Sequence, residues 1–221
     1  MLGQNDAAPV LLIDGNNLLM RNYHMFSDMR TSEGLQLGGV HGYVQSLKKI
    51  LRDFPAHNHL VVWDSGEHAA WRVALYPNYK QRDSKPVDGI EEPGWIAPYK
   101  LIDLCRQLNK RLGLCDLQIQ GVEADDLISL MAHTYSGPIC ILSTDRDFLQ
   151  LVQPRISVRR PKRPTKDGDS DRLVFHEDVD LSTFKIITEY DTPLSFLMGK
   201  ALMGDDSDVI TGVQRIGEKT A

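Results

Sequence analysis

Short apolar runs that end in aspartate alternate with longer amphipathic stretches along this chain. The runs are Val10–Ile13, His59–Trp63 and Ile139–Leu142, and they lead into Asp14, Asp64 and Asp145. Continuous apolar runs of this length are typical of strands that are buried on both faces of a parallel sheet. The pattern therefore predicts buried strands with carboxylates at or just beyond their C-terminal ends.

Apolar residues recur at spacings of three and four between these runs, which predicts helices. The predicted helices cover Asn17–Met29, Gly38–Phe54, a short stretch around Trp71–Arg72, Ile96–Leu112 and the segment that follows Ala124. Further strands are predicted at Leu114–Ile119 and at a pair, Ile156–Arg160 with Arg172–Phe175, joined by the polar loop Pro161–Asp171. From Asp178 onward the pattern is helical.

Strands that alternate with helices predict an α/β fold, with a mostly parallel central sheet flanked by helices. In such sheets, ligands bind outside the carboxyl ends of the strands. Asp14, Asp64 and Asp145 all occupy that position. This edge of the sheet is therefore the expected functional site.

Composition limits the class of protein without defining its function. The chain has 221 residues, 42% hydrophobic and 25% charged, as in an ordinary soluble globular protein. No apolar run approaches the length of a membrane span, and the N-terminus lacks a basic region followed by an apolar core. We therefore expect a cytoplasmic protein. Its three scattered cysteines indicate neither a zinc site nor a disulfide framework.

Further carboxylates join the three at the strand ends. The stretch Gly121–Met131 places Glu123, Asp125 and Asp126 at the start of a helix, and Asp147, Asp205 and Asp208 follow later in the chain. A single such acid is readily explained as a turn former or as a partner of the helix dipole. Nine acids that recur at strand ends, at a helix start and in the C-terminal segment are harder to explain as turn formers or as partners of a helix dipole.

Many carboxylates in one crevice repel one another unless a cation compensates them. Oxygen ligands without clustered Cys or His select Mg²⁺ or Mn²⁺, and such sites hold two ions about 4 Å apart that clamp a phosphodiester. The formal charge of −5 does not oppose this interpretation, because removing the nine acids from the 30 leaves 21 against 25 Lys and Arg. The sequence thus indicates a hydrolase of phosphate esters with an acidic pit in a mildly basic surface.

The motifs also carry a family resemblance. In chain order they are Ile13-Asp14-Gly-Asn-Asn with Arg21, Trp63-Asp64, Tyr79-Lys80, Val122-Glu123-Ala-Asp125-Asp126, Ser143-Thr-Asp145-Arg-Asp147, Gly204-Asp205-Asp-Ser-Asp208 and Gly212-Val-Gln-Arg-Ile-Gly217. This series resembles the 5′-nuclease family, the 5′→3′ exonuclease and flap endonuclease domains of bacteria and tailed phages, which are also fused to bacterial DNA polymerase I. The resemblance implies a PIN-like fold, two Mg²⁺ or Mn²⁺ ions, no small-molecule cofactor, and hydrolysis of DNA that has a 5′ end, flap or branch.

The resemblance also implies roles for individual residues. Metal binding falls to Asp14, Asp64, Glu123, Asp125, Asp126, Asp145, Asp147, Asp205 and Asp208. Lys80 and Arg21 are expected to contact the scissile phosphate, and Tyr79 to stack on a terminal base. Arg82 also lies in the substrate-binding loop, but Tyr79-Lys80-Gln81-Arg82 is one residue shorter than the family's usual spacing.

The end of the sequence resembles the opening of a helix–hairpin–helix. Gly212 and Gly217 are expected to grip duplex phosphates there, together with a bound monovalent cation. Arg215 stands where the family often has glycine, so this hairpin is expected to be distorted. The predicted division is a catalytic domain over residues 1–190 and an incomplete DNA-binding region over residues 191–221.

Two alternatives from other classes remain at this point. One is a protein that binds branched DNA without cleaving it, and the other is a PIN-type ribonuclease. The intact set of acids disfavours the first, because a repulsive cluster brings a mere binder no advantage. The Glu123-Ala-Asp-Asp motif and the segment from Gly204 onward disfavour the second.

Overall fold

A six-stranded sheet forms the centre of the protein. The computed structural model describes residues 7–55, 57–65, 70–81, 96–161 and 175–217. The strands are β1 (Val10–Asp14), β2 (Asn58–Trp63), β3 (Cys115–Gln118), β4 (Ile139–Leu142), β5 (Ile156–Pro161) and β6 (Phe175–Val179), in the spatial order β3-β2-β1-β4-β5-β6. The first five run parallel, and β6 pairs with β5 in the antiparallel sense. The predicted α/β fold with a mostly parallel sheet is confirmed.

Helices flank the sheet, and a small hairpin follows the last of them. The helices are α1 (Gly15–Met25), α2 (Gly38–Asp53), α3 (Ala70–Leu75), α4 (Pro98–Arg111), α5 (Ala124–Thr134), α6 (Phe184–Thr188) and α7 (Pro193–Met203). A 3₁₀ helix spans Arg146–Leu151, and strands β7 (Gly204–Asp205) and β8 (Ile210–Thr211) form the hairpin. Within the described ranges, none of the helices has the length and apolar character needed to cross a bilayer.

The core has two halves, one on each face of the sheet. Successive strand residues point to opposite faces, so Leu11 and Ile13 pack with the buried residues of α1, α2 and α4, while Leu12 packs on the other side. That second side includes Ile128 of α5 and Phe196 of α7. Full burial of each such side chain contributes about 1.5–3 kcal/mol, so both faces hold the sheet rigidly.

The strand order reverses next to β1. The chain passes from β1 outward through β2 and β3, and then returns past β1 to form β4 on its other side. In open parallel sheets, the crevice at such a switch point is the usual ligand site. Asp14 is the last residue of β1, and Asp145 lies three residues beyond β4. The fold therefore brings two of the predicted ligands to its natural binding crevice.

The first helix differs from the prediction of Asn17–Met29 at both ends. It begins at Gly15 because Asp14 is its N-cap and accepts a hydrogen bond from the Asn17 backbone N–H at 2.9 Å. It ends at Met25, and the chain then turns at Phe26, against whose carbonyl Gly38 packs. A Cβ atom on Gly38 would lie 2.0 Å from that oxygen, so the close approach requires glycine.

The C-terminal part also differs from the prediction. The described strand that pairs with β5 is Phe175–Val179 and extends beyond the predicted end at Phe175. The rest of the predicted strand, Arg172–Val174, and residues 162–171 of the predicted polar loop lie outside the described ranges. The segment from Asp178 is not helical throughout, since it includes the end of β6 and the hairpin of β7 and β8. The two-residue strands β7 and β8 are too short to show a hydrophobic alternation, so the sequence pattern did not predict their hairpin. The boundary between residues 190 and 191 stays a prediction.

Candidate metal centre

Three carboxylates, Asp14, Asp64 and Asp145, lie at or just beyond the ends of β1, β2 and β4, at the carboxyl edge of the sheet. Asp14 is 8% exposed and accepts hydrogen bonds from the Asn17 backbone N–H (2.9 Å) and the Ser143 hydroxyl (2.8 Å). Burial, with smaller contributions from Asp64 and Asp145, raises the pKa of Asp14 to about 7 in spite of these hydrogen bonds. Asp64 and Asp145 are therefore close enough to influence the charge of Asp14.

Two asparagines after Asp14 tie these strand ends together. The Asn16 side-chain carbonyl accepts a hydrogen bond from the Asp64 backbone N–H at 2.9 Å. The Asn17 side-chain carbonyl accepts one from the Thr144 backbone N–H at 3.1 Å. The sequence alone predicts no role for these asparagines, although they follow Asp14 closely. They fix the positions of the strand-end carboxylates through the backbone.

A second acidic group lies at the start of α5. Ligand oxygens of Glu123, Asp125 and Asp126 all lie within 4.8 Å of one another. Asp64 connects this group to the strand ends, because its carboxylate accepts a hydrogen bond from the Ala124 backbone N–H at 2.7 Å. Closely spaced carboxylate oxygens, without sulfur or imidazole, match the ligand preference of a hard divalent cation. The donor set therefore fits Mg²⁺ or Mn²⁺.

Two cationic side chains and a tyrosine converge on the buried Glu123. Its carboxylate accepts from the Lys80 ammonium at 2.8 Å, the Tyr79 hydroxyl at 2.9 Å and the Arg72 guanidinium at 2.6 Å. Arg72 also binds both oxygens of Asp126, at 2.6 and 2.7 Å. Burial acts to raise the pKa of Glu123, but these partners lower it below its ordinary value. Glu123 is thus held as a carboxylate.

Lys200 joins a third acidic group. Its ammonium contacts Asp147 and lies 3.1 Å from Asp205. Burial opposes ionisation of Asp205, yet hydrogen bonds from Ser207 and Lys200 lower the pKa of Asp205 to about 2. Neither Lys200 nor Arg72 was among the predicted site residues. Each is a cation in an otherwise apolar segment beside the acids, and that is the signal that could have drawn attention to it.

The hairpin of β7 and β8 supports the loop that carries Lys80. The Tyr76 hydroxyl donates to the Val209 carbonyl at 2.9 Å, and the Lys80 backbone N–H donates to the Asp208 carbonyl at 3.1 Å. Lys80 has a φ of 53°, which is uncommon for a residue other than glycine. Burial raises the pKa of Asp208 even though Lys80 lies near enough to lower it. The hairpin therefore places both a carboxylate and the backbone of Lys80 at the site.

A cleft of about 540 Å³ opens beside these groups. The carboxylates that line it are Asp125, Asp126, Asp147 and Asp208. Burial raises the pKa of Asp125 to about 6, although Arg72 acts to lower it. Four carboxylates thus line the cleft, and one of them, Asp125, stays protonated up to about pH 6 because its pKa is raised.

The other predicted substrate-binding residues have different surroundings. Tyr79 lines the cleft, is 6% exposed and donates its hydroxyl to Glu123, and the stacking of its ring on a terminal base stays a prediction. Arg21 is half-buried on α1, and its contact with a phosphate stays a prediction. Arg82 lies outside the described residues.

The predicted hairpin opening forms a turn after β8. Gly212 packs tightly against the end of α7, since a Cβ atom there would lie 2.0 Å from the Met203 carbonyl oxygen. Arg215 has a φ of 68°, a left-handed conformation that glycine adopts more readily. The turn is closed by a hydrogen bond of 3.1 Å from the Ile216 N–H to the Val213 carbonyl. Arginine at position 215 therefore keeps a glycine-like backbone.

The chain matches a known protein family and is similar in sequence to two kinds of bacterial protein. Residues 9–180 match the family described as 5′-3′ exonuclease, N-terminal resolvase-like domain. The chain is 30% identical over 224 residues to DNA polymerase I of Mycobacterium tuberculosis, covering 99% of this chain and 23% of the polymerase. It is 29% identical over 219 residues to a 5′-3′ exonuclease of Bacillus subtilis, covering 96% of this chain and 68% of that protein. The chain thus spans about a quarter of its polymerase relative.

Solved structures show the same fold. The T5 5′-exonuclease with bound zinc ions has a TM-score of 0.71 at 25% identity, over 95% of this chain and 71% of that one. Flap endonuclease-1 from Methanococcus jannaschii has a TM-score of 0.56 at 18% identity, over 96% of this chain and 68% of that one. The PIN-like fold expected from the sequence is confirmed by these similarities.

Proposed function

Because the chain belongs to the family of 5′-3′ exonuclease N-terminal resolvase-like domains, we propose that it is a divalent-metal-dependent nuclease that hydrolyses DNA at or near a 5′ end. One observation carries the proposal. Oxygens of Glu123, Asp125 and Asp126 lie within 4.8 Å of one another, and the Lys80 ammonium lies 2.8 Å from one of them. Carboxylates with an adjacent fixed cation form a site suited to phosphate esters.

We assign the metal ions to the carboxylates of the three acidic groups and to Asp208 of the hairpin. Support comes from the oxygen-only donor set, from the raised pKa values of Asp14 and Asp125, and from the zinc ions bound in the similar T5 5′-exonuclease. Two bound Mg²⁺ or Mn²⁺ ions would activate a water molecule and stabilise the leaving oxygen of a phosphodiester. All nine sequence-predicted acids are retained in this proposal.

The cationic side chains and Asp14 have different roles at the proposed metal site. Lys80 places a positive charge beside Glu123, where it can stabilise the charge that grows on a phosphate in the transition state. Arg72 holds Glu123 and Asp126 in place, and Lys200 does so for Asp147 and Asp205. Asp14 holds a proton on its carboxyl group at pH values below about 7 and releases it when a cation binds.

The proposed substrate is DNA with a 5′ end, flap or branch. The Bacillus subtilis relative is a 5′-3′ exonuclease, which supports the polarity. A monovalent cation at the turn of residues 212–217 belongs to the same proposal, and glycine-like backbone geometry at Arg215 is compatible with it. Neither alternative class is favoured by a specific feature of the site.

Cleavage assays with matched substrates test this function. A 5′-flap DNA, a single strand and an RNA of the same sequence are incubated with Mg²⁺, Mn²⁺, Ca²⁺ or EDTA. We expect cleavage of the flap DNA with Mg²⁺ or Mn²⁺ only, because Ca²⁺ accepts loose geometry and aligns an in-line attack poorly. Tight DNA binding without cleavage would support the non-cleaving binder, and preferential cleavage of RNA would support the ribonuclease.

Substitution of Lys80 by alanine is expected to separate chemistry from affinity. The single-turnover rate on flap DNA should fall by about 100-fold or more, the loss typical of a group that stabilises developing charge. The dissociation constant, measured in Ca²⁺, should rise by less than about tenfold. Lys100→Ala, which removes an exposed lysine from α4, serves as the matched control and should leave both quantities unchanged. Equal losses in rate and affinity would reduce Lys80 to a residue that merely attracts phosphate.

A further inference from the structure

Two polar side chains of β3 lie on a face where the neighbouring strand carries core residues. Asp116 and Gln118 stand in register with Val61 and Trp63 of β2, which are fully buried in the half of the core that includes residues of α4. Residues in register on neighbouring strands present their side chains to the same face of the sheet. Apolar residues would suffice here for packing, so each polar side chain needs a specific partner.

The role of Asp116 is explained by the polar groups of the core. Its carboxylate accepts from the Trp63 indole N–H at 2.7 Å, from the Asn109 side-chain amide at 2.9 Å and from the Arg106 guanidinium at 2.8 Å. Asn109 in turn accepts from the Tyr43 hydroxyl at 2.9 Å. The tryptophan, the asparagine and the tyrosine are fully buried, so these hydrogen bonds satisfy groups that are costly to bury without a partner. This part of the network stabilises the fold.

Gln118 instead reaches a residue of the proposed metal centre. Its side-chain N–H donates to the backbone carbonyl of Asp64 at 2.5 Å, and its side-chain carbonyl accepts from the Arg106 guanidinium. The backbone pairing of β2 with β3 ends at Trp63 and Gln118, so the Asp64 carbonyl lies just beyond it. The Gln118 side chain thus holds the first residue that the strand pairing no longer holds.

Asp64 is fixed at both of its peptide groups. Its backbone N–H donates to the Asn16 side-chain carbonyl at 2.9 Å, and its backbone carbonyl accepts from Gln118. The two peptide planes that flank a Cα atom determine its φ and ψ, and with them the direction of the Cα–Cβ bond. The Asp64 carboxylate also accepts from the Ala124 backbone N–H at 2.7 Å. Loss of the Gln118 amide would therefore release one of the planes that aim this carboxylate.

We infer that Gln118 is a positioning residue that aims the Asp64 carboxylate at the metal site, and that Arg106 orients the Gln118 amide. The inference rests on the metal-binding role proposed for Asp64. Arg106 offers only N–H donors and the Asp64 backbone carbonyl only accepts, so a side chain between them needs an acceptor at one end and a donor at the other. An amide meets this requirement, whereas a carboxylate would place an oxygen against the Asp64 carbonyl.

Binding of Mn²⁺ in the absence of DNA tests the inference independently of cleavage. The ion is titrated with the unmodified chain and with Gln118→Met, and free Mn²⁺ is quantified by electron paramagnetic resonance. Methionine has a similar length but no N–H donor and only a weak acceptor. We expect the dissociation constant for Mn²⁺ to rise by about tenfold or more, the loss typical when a residue that supports a metal ligand is changed. The Mg²⁺ concentration for half-maximal cleavage should rise by a similar factor.

Gln118→Glu separates positioning from charge. Glutamate keeps the shape and the contact with Arg106, but its other oxygen faces the Asp64 carbonyl. An added negative charge near the site would by itself strengthen cation binding. We nevertheless expect weaker Mn²⁺ binding than in the unmodified chain, because the Asp64 carboxylate is no longer aimed. Unchanged or tighter Mn²⁺ binding in both Gln118 variants would overturn the inference.

Two control variants separate positioning from stability. Gln107→Met makes the same exchange on the exposed surface of α4 and should bind Mn²⁺ like the unmodified chain. Tyr43→Phe removes a hydroxyl from the core part of the network, so its melting temperature should fall while its Mn²⁺ affinity stays unchanged. If Tyr43→Phe lost as much Mn²⁺ affinity as Gln118→Met, reduced stability would explain both losses and the positioning role would be wrong.

Arg106→Lys tests the orienting role. Lysine keeps a charge for Asp116, but its ammonium lacks the planar fork with which arginine holds Asp116 and Gln118 together. The Mn²⁺ dissociation constant should rise when Arg106 is changed alone, and should not rise further when the same change is made in Gln118→Met. An equal rise in both cases would show that Arg106 does not act through Gln118.

The positioning role and the nuclease function can fail separately. If the unmodified chain cleaves flap DNA with Mg²⁺ while Gln118→Met binds Mn²⁺ with unchanged affinity, the positioning role is wrong and the nuclease function stands. If Gln118→Met binds Mn²⁺ more weakly but the unmodified chain cleaves no DNA, the positioning role stands and the nuclease function is wrong.

Discussion

Asp125→Asn is expected to abolish metal-dependent DNA cleavage while the fold persists. Asp125 lines the cleft and lies within 4.8 Å of Glu123 and Asp126, and its pKa is raised to about 6 by burial. Asparagine has nearly the same shape but removes a ligand charge. The cleavage rate in saturating Mg²⁺ should fall by more than about 100-fold, since loss of a residue that only supports a metal ligand already costs about 10- to 100-fold.

The control for this variant is Asp103→Asn, which makes the same exchange on the exposed surface of α4. It should cleave like the unmodified chain. The melting temperature of metal-free Asp125→Asn should equal or exceed that of the unmodified chain, because the substitution removes repulsion with Glu123 and Asp126. Cleavage by Asp125→Asn at an unchanged rate would show that the acidic group at α5 is not the metal site.

Asp14→Asn is expected to stabilise the metal-free protein, and to do so increasingly as the pH rises from about 4 to about 7. The pKa of Asp14 is about 7 in the folded protein and about 3.9 in an unfolded chain, so the folded state holds the proton more tightly. The contribution of Asp14 to stability is thus most favourable below pH 4 and is lost as the pH rises through about 7. The variant avoids this loss, which amounts to up to about 4 kcal/mol for a shift of about three units.

Urea denaturation in EDTA, repeated between pH 4.5 and pH 8, measures this effect. The difference in the free energy of unfolding between Asp14→Asn and the unmodified chain should grow with pH and level off above pH 7. Mg²⁺ should reverse the order by stabilising the unmodified chain more strongly. The surface variant Asp103→Asn should follow the unmodified chain at every pH. A constant difference across the pH range would mean that Asp14 titrates normally.

The sheet and the first acidic residues could be predicted from the sequence for a simple physical reason. Parallel strands that are buried on both faces appear as apolar runs, and a carboxylate at or just beyond the end of such a run has to lie at the open edge. Asp14, Asp64 and Asp145 satisfy this condition. Their convergence follows from the strand order alone, which places β1 between β2 and β4.

The cations and the burial of Tyr79 could not be predicted in the same way. Arg72 and Lys200 reach their acids with long side chains from a different helix or turn, and sequence spacing does not determine such contacts. The burial of Tyr79 depends on where its loop lies on the hairpin. Hydrogen bonds made by Tyr76 and Lys80 determine that position, and no periodic pattern reports them.

The hairpin of β7 and β8 also determines which parts of the site open together. Each of its strands has two residues, and a hairpin of that size is not stable by itself in water. Its loop nevertheless accepts the Lys80 amide and the Tyr76 hydroxyl, so fraying of the hairpin releases both. We therefore expect the loop of Lys80 and the hairpin to open together, which releases the Lys80 backbone and leaves its ammonium held only by side-chain contacts such as that to Glu123, while the sheet stays folded.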